Sequence, residues 1–126
     1  MRALLLVAHG SRRTESNEEV RDLTEQLRGR AGGRFGWVGH AFLELAQPSI
    51  PEAVAEAAVA GAREVLVLPY FLAAGRHVVK DIPDEVAIAL REHPEVSVRV
   101  APYLGAMAGV SDLLLDTALA HSPQAG

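Results

Sequence analysis

The chain has 126 residues, of which 49% are apolar and 22% charged, the balance of an ordinary globular chain with enough length for its own core. A net charge of −4, with no basic stripe interleaved with aromatics, argues against general nucleic-acid binding. The absence of cysteine excludes disulfides and thiolate metal sites, so any metal ligand must be histidine, carboxylate or backbone oxygen.

The start, MRALLLVAHG, contains an apolar run too short for a signal peptide and reads as a strand, Ala3–Ala8. No segment approaches a membrane span, so the expected location is the cytoplasm. The continuous run ALLLVA suits a strand covered on both faces. TESNEEVRDLTEQLRGR follows as a helix, with Val20, Leu23 and Leu27 on one face and Ser16 with Glu19 spaced as a capping box. FGWVGHAFLEL reads as a second strand ending near Glu44.

QPSIPEAVAEAAVAGA is a second helix: Ser49 and Glu52 form a capping-box pattern, Pro51 sits in the first turn and Gly61 ends it. EVLVLPYFL is a third strand. IPDEVAIALREH is a third helix, with Asp81 as the expected N-cap and Pro94 beyond its end. VSVRV is a fourth strand, and LGAMAGVSDLLLDTALAHS a closing helix. The tail, residues 122–126, is expected to fray.

Strand alternating with helix four times predicts a single α/β domain over residues 1–126. It is a three-layer sandwich around a parallel sheet of order 2-1-3-4, with right-handed crossovers. Its switch point lies between the first and third strands, at their carboxyl ends, where open α/β sheets bind ligands.

Those ends carry the chemistry. AHGSRR puts His9 at the rim, FLELAQPS puts Glu44 there, and AAGRH puts His77 just past the third strand. Each alone has a plainer reading, as a turn residue or a solvated strand end. Their convergence from three strand ends is the stronger signal. Two imidazoles and a carboxylate can hold a divalent metal with positions left open, or accept protons near neutral pH. Ser11, Arg12, Arg13, Gly75, Arg76 and Lys80 lie beside them, and the cations suit an anionic substrate or are simply solvated loop charges. Tyr70, Phe71 and Leu72 supply an apolar wall or core. His40 shares the face of Phe42 and Glu44 by alternation, which leaves open whether it reaches the cleft. His93, near a helix end, and His121, near the tail, read as structural or exposed.

LLLVAHGSRR, AFLELAQPSIPEAV, VLPYFLAAGRHVVKDIP and VAPYLG together resemble the short form of the sirohydrochlorin cobaltochelatase family, among the class II chelatases, over roughly residues 3–114. The resemblance implies ATP-independent insertion of cobalt, or of iron or nickel, into a sirohydrochlorin-type tetrapyrrole for cobalamin or sirohaem synthesis, without an organic cofactor. It maps the metal-site histidines onto His9 and His77 and the acidic catalytic residue onto Glu44. Ser11, Arg12, Gly75, Arg76 and Lys80 would meet the carboxylate-rich substrate. Short members are expected to pair as homodimers, without nucleic acid or membrane partners. Two rival readings stand beside it. One is a metal or tetrapyrrole carrier, with the same ligands but no turnover. The other is a histidine-phosphatase-like enzyme, which would need an arginine where Ala8 stands; no Walker pattern is present.

Overall fold

The computed structural model describes residues 1–123. In chain order it has β1 (Arg2–Ala8), α1 (Thr14–Ala31), β2 (Trp37–Phe42), α2 (Ile50–Val59) and β3 (Glu64–Pro69). A one-turn π-helix (His77–Asp81) then leads directly into α3 (Ile82–Glu92). β4 (Ser97–Val100), a 3₁₀ turn (Leu104–Ala106) and α4 (Val110–Ala120) complete it. The expected fraying of residues 122–126 falls mostly on residues 124–126, which lie outside the described residues.

All strand pairs are parallel, in the order β2-β1-β3-β4, as the alternation of elements predicts. β1 is central, and Ala3 to Ala8 are buried because both faces of the sheet are covered at that strand. On one face Leu5, Val7, Val65 and Val67 pack with Ile50, Val54, Ile82 and Val86 of α2 and α3. On the other, Leu6 and Phe42 pack with Val20, and Leu23 and Leu27 of α1 close over them. Burying each such side chain is worth about 1.5–3 kcal/mol.

The helix ends follow local chemistry, with two corrections. α2 is capped as expected: Ser49 Oγ accepts the Glu52 N–H at 3.2 Å, and the Ser49 N–H donates to Glu52 Oε1 at 2.9 Å. The Ser16–Glu19 box does not form. α1 begins at Thr14, with Arg13 in the extended N-cap position and no side-chain cap. Asn17 takes over the work: its side chain accepts the Ser11 N–H at 3.0 Å and donates to Ser11 O at 2.8 Å. Ser11 Oγ accepts the Arg13 N–H at 3.0 Å, which closes the loop, and the helix begins three residues before a Ser16 cap would start it.

Nor does Asp81 act as an N-cap. Its backbone is already helical, and the π turn before it removes the free helix end that a cap would serve. Two expected strands are shorter: β2 stops at Phe42 and β3 at Pro69. The closing helix divides into the 3₁₀ turn and α4. Its residues Ser111 to Ala120 are all exposed.

Candidate active site

Two backbone connections bring the first two site residues together. Parallel pairing continues past the strands, with the Leu43 N–H donating to Ala8 O at 3.1 Å and the Glu44 N–H to His9 O at 3.0 Å. Gly10 makes this possible. Its φ is +95°, and a Cβ there would lie 1.8 Å from the carbonyl oxygen of Glu44. Only glycine allows so close an approach in that conformation. His9 and Glu44 then meet, with Nε2 of the imidazole 2.7 Å from Oε1 of the carboxylate.

His77 arrives from the third strand end through the loop after Pro69 and opens the π turn. The Val78 and Val79 N–H groups both donate to Gly75 O at 3.1 Å, which winds the turn. A Cβ at Gly75 would meet nothing, so this side of the rim is open to approach. The His77 ring lies 4.4 Å from the His9 ring, tilted by 52°, and stacks on Phe71 at 6.0 Å. Phe71 is therefore the aromatic wall of the site and, on its other side, part of the core. Leu72, at 77% exposure, is neither.

Asp81 is the residue that the sequence reading assigned elsewhere. Its Oδ2 lies 2.7 Å from Nδ1 of His77, one helical turn back. A spacing of four residues puts the two side chains on one helical face, and with the chain already helical at Asp81 the carboxylate meets His77 instead of capping. With Nδ1 bonded to the carboxylate, the lone pair at Nε2 of His77 is directed away from Asp81. This is the carboxylate–histidine arrangement that orients metal ligands.

Beside His77 lies a groove of about 380 Å³ lined by Leu43, Glu44, Arg76, His77, Asp81, Asp84 and Glu85. Its lining is mainly acidic rather than cationic. Burial pushes the Glu85 carboxyl up, and the Asp81 and Asp84 charges add to the rise. Lys80 turns to Asp84, with Nζ and Oδ2 2.6 Å apart, and this hydrogen bond holds its pKa above the ordinary lysine value. Arg76 lines the groove, while Arg12 and Arg13 stand exposed on the loop after β1. A hydrated dication suits this groove, and the exposed arginines suit a carboxylate-rich ligand above it.

Among the described residues, no three His, Asp or Glu side chains are already gathered as a metal cluster. The donors are paired instead, His9 with Glu44 and His77 with Asp81. His40 does not join them. It packs edge-on against Phe42 at 5.4 Å and lines a separate groove with Arg21, Arg28, Trp37 and Glu56. Burial, and then the Arg21 charge, hold its pKa below the ordinary value of 6.5. His93 caps α3 with Nδ1 3.5 Å from Glu95, and His121 follows α4. No helix among the described residues is long and apolar enough to cross a membrane.

With this geometry in view, the family model CbiX matches residues 3–120. The chain belongs to the CbiX family. It is 37% identical over 113 residues to the chloroplastic sirohydrochlorin ferrochelatase of Arabidopsis thaliana, covering 90% of this chain and 48% of that protein. It is 42% identical over 83 residues to a sirohydrochlorin cobaltochelatase of Methanocaldococcus jannaschii, covering 66% of this chain and 57% of that one. The sirohydrochlorin chelatase SirB of Bacillus subtilis subspecies spizizenii, in complex with cobalt, superposes with a TM-score of 0.81 at 25% identity, over 95% of this chain and 50% of that one. The matches thus span about half the length of these relatives. The family membership and the sheet order together make the fold that of the class II chelatases, as the motifs implied.

Proposed function

We propose that the protein inserts a divalent metal ion, cobalt or iron, into a sirohydrochlorin-type tetrapyrrole without nucleotide hydrolysis or an organic cofactor. Nickel fits the same donors. The observation that carries this reading is the meeting of His9, Glu44 and His77, from three strand ends, at one open rim. The names of the relatives support the substrate class. The protein works in the cytoplasm as a single α/β domain, paired with a second copy so that two shallow rims enclose a macrocycle.

Insertion needs a metal stripped of water, and a ring that loses two pyrrole protons. His77, oriented by Asp81, presents Nε2 to the incoming metal, and His9 lies close enough to share it once Glu44 releases its imidazole. Glu44 is then a free carboxylate beside the ring, suited to take a departing proton. Because the donors are paired with carboxylates rather than closed around a site, the metal is held loosely enough to be given up. Arg12 and Arg76 meet the carboxylates of the tetrapyrrole, with Ser11 and Gly75 shaping the two loops that carry them. Lys80 contributes when it leaves Asp84.

The test is an absorbance time course of sirohydrochlorin with Co²⁺, with and without catalytic amounts of protein. Many turnovers per chain above the blank are expected. A rate equal to the blank, with metal or tetrapyrrole bound one to one, would replace the enzyme by a carrier.

A further inference from the structure

We infer that the tetrapyrrole lies on an uncharged apolar ledge formed by Tyr70, Leu72 and Leu104, and reaches the two histidines across the Phe71–His77 stack. This rests on the proposed function for the identity of the ligand. It places the macrocycle on a surface separate from the acidic groove.

Two grooves meet at that stack. His77 lines the acidic one, with Glu44, Asp81, Asp84 and Glu85. The His77 ring stacks on Phe71 at 6.0 Å, with 27° between the planes. Phe71 in turn lines the other groove, of about 210 Å³, with Tyr70, Leu72 and Leu104. The two grooves share no lining residue, so the stack is the ridge between them.

Charge decides which groove suits which reactant. The acidic groove sets the carboxyl groups of Glu44, Asp81, Asp84 and Glu85 against a single guanidinium, that of Arg76. A carboxylate-rich ring laid there would meet like charges, which oppose binding. The same charges draw a divalent metal ion. The second groove has no charged side chain in its lining. It suits the flat apolar face of a macrocycle, whose carboxylates then project past the ring edge into water.

The ledge is held ready in the free chain. Leu72 is 77% exposed and Tyr70 40%, and Leu72 takes no part in the stack or the core. An exposed leucine on a loose loop offers little, because ordering it on binding consumes much of the gain. Here the backbone is fixed on both sides. The Tyr70 N–H donates to Val7 O at 2.7 Å, which continues the strand pairing past Pro69, and the Gly105 N–H donates to Phe71 O at 3.1 Å. A Cβ at Gly105 would lie 1.8 Å from Leu72 O, so a side chain there would force the two loops apart.

Equilibrium binding of metal-free sirohydrochlorin, read by its own fluorescence, tests this beside a Co²⁺ titration without tetrapyrrole. The proteins are the unmodified chain, Leu72→Asn, Leu72→Met and the pair Asp84→Asn/Glu85→Gln. Leu72→Asn should raise the Kd for sirohydrochlorin about tenfold, the effect of losing one buried apolar side chain. It should leave the Co²⁺ affinity and the sedimenting mass unchanged, and Leu72→Met should recover the binding. Asp84→Asn/Glu85→Gln should weaken Co²⁺ and leave sirohydrochlorin bound at least as tightly. A Leu72→Asn chain with unchanged sirohydrochlorin affinity would overturn the proposal, as would one that loses both ligands alike or changes mass as it loses binding. So would an acid-groove variant that loses sirohydrochlorin. Tyr70→Ser decides by the same readings if Leu72→Asn fails to fold. An unmodified chain that does not bind sirohydrochlorin overturns both the ledge and the proposed function. One that binds it through Leu72 without turnover removes the enzyme and leaves the ledge, and full turnover with Leu72→Asn unaffected does the reverse.

Discussion

Replacing Gly10 by alanine should cost stability out of proportion to one methyl group. The residue holds φ at +95°, a conformation that strains any L side chain by about 1–3 kcal/mol. The added Cβ would also stand 1.8 Å from Glu44 O, so one of the two backbones must retreat by more than an ångström. That retreat breaks the hydrogen bond from the Glu44 N–H to His9 O, now 3.0 Å long and worth about 1 kcal/mol. The expected loss is therefore about 2–4 kcal/mol, a large share of the stability of a domain this size. Urea unfolding followed by circular dichroism measures it, and the midpoint should fall with an unchanged slope. The same movement pulls Glu44 from His9, so metal insertion should fall even where the variant is fully folded. A loss below about 1 kcal/mol, with normal activity, would refute the close approach of the two loops and the role given to Gly10.

Removing the carboxylate in Asp81→Ala should weaken Co²⁺ binding about 10–100-fold in a metal titration while the fold persists, and Asp81→Asn, which keeps an acceptor, should recover part of it. Ser49→Ala removes the acceptor for the Glu52 N–H and should cost about 1 kcal/mol in denaturant unfolding. His40 gives a pH signature. Its folded pKa lies below 6.5, so the unfolded chain binds its proton first, and stability should fall as pH drops below about 6.5 towards the folded pKa. His40→Gln should flatten that part of the stability–pH curve and leave insertion unaffected.

The sheet order was legible because each strand is a short apolar run and each crossover has helical periodicity. The placement of His9, Glu44 and His77 at one rim was legible for the same reason, since a parallel sheet sends its carboxyl ends to one rim. What could not be read was local geometry. Ser16 and Glu19 have the spacing of a capping box, but the tie between Asn17 and Ser11 starts the helix earlier. Asp81 looked like an N-cap because nothing in the sequence announces the helical turn at His77–Asp81, which leaves no free helix end at Asp81 and sets its carboxylate beside His77. Lys80 counts as a rim cation by position, yet Asp84 one turn on holds it. His40 has the alternation of an inward residue, but β2 ends before Glu44 and its side chain belongs to another groove. The sequence reads α4 as a closing helix, and its leucines are exposed in the single chain.

The central claim is that His9 and His77 deliver metal to a tetrapyrrole. Its most direct test is the initial rate of Co²⁺ insertion into sirohydrochlorin by His77→Ala at saturating tetrapyrrole, set beside the unmodified protein and the protein-free blank. The geometry predicts a folded variant that still binds the tetrapyrrole but inserts metal at the blank rate. A variant that inserts at the rate of the unmodified protein would contradict the assignment of His77 and, with it, the site.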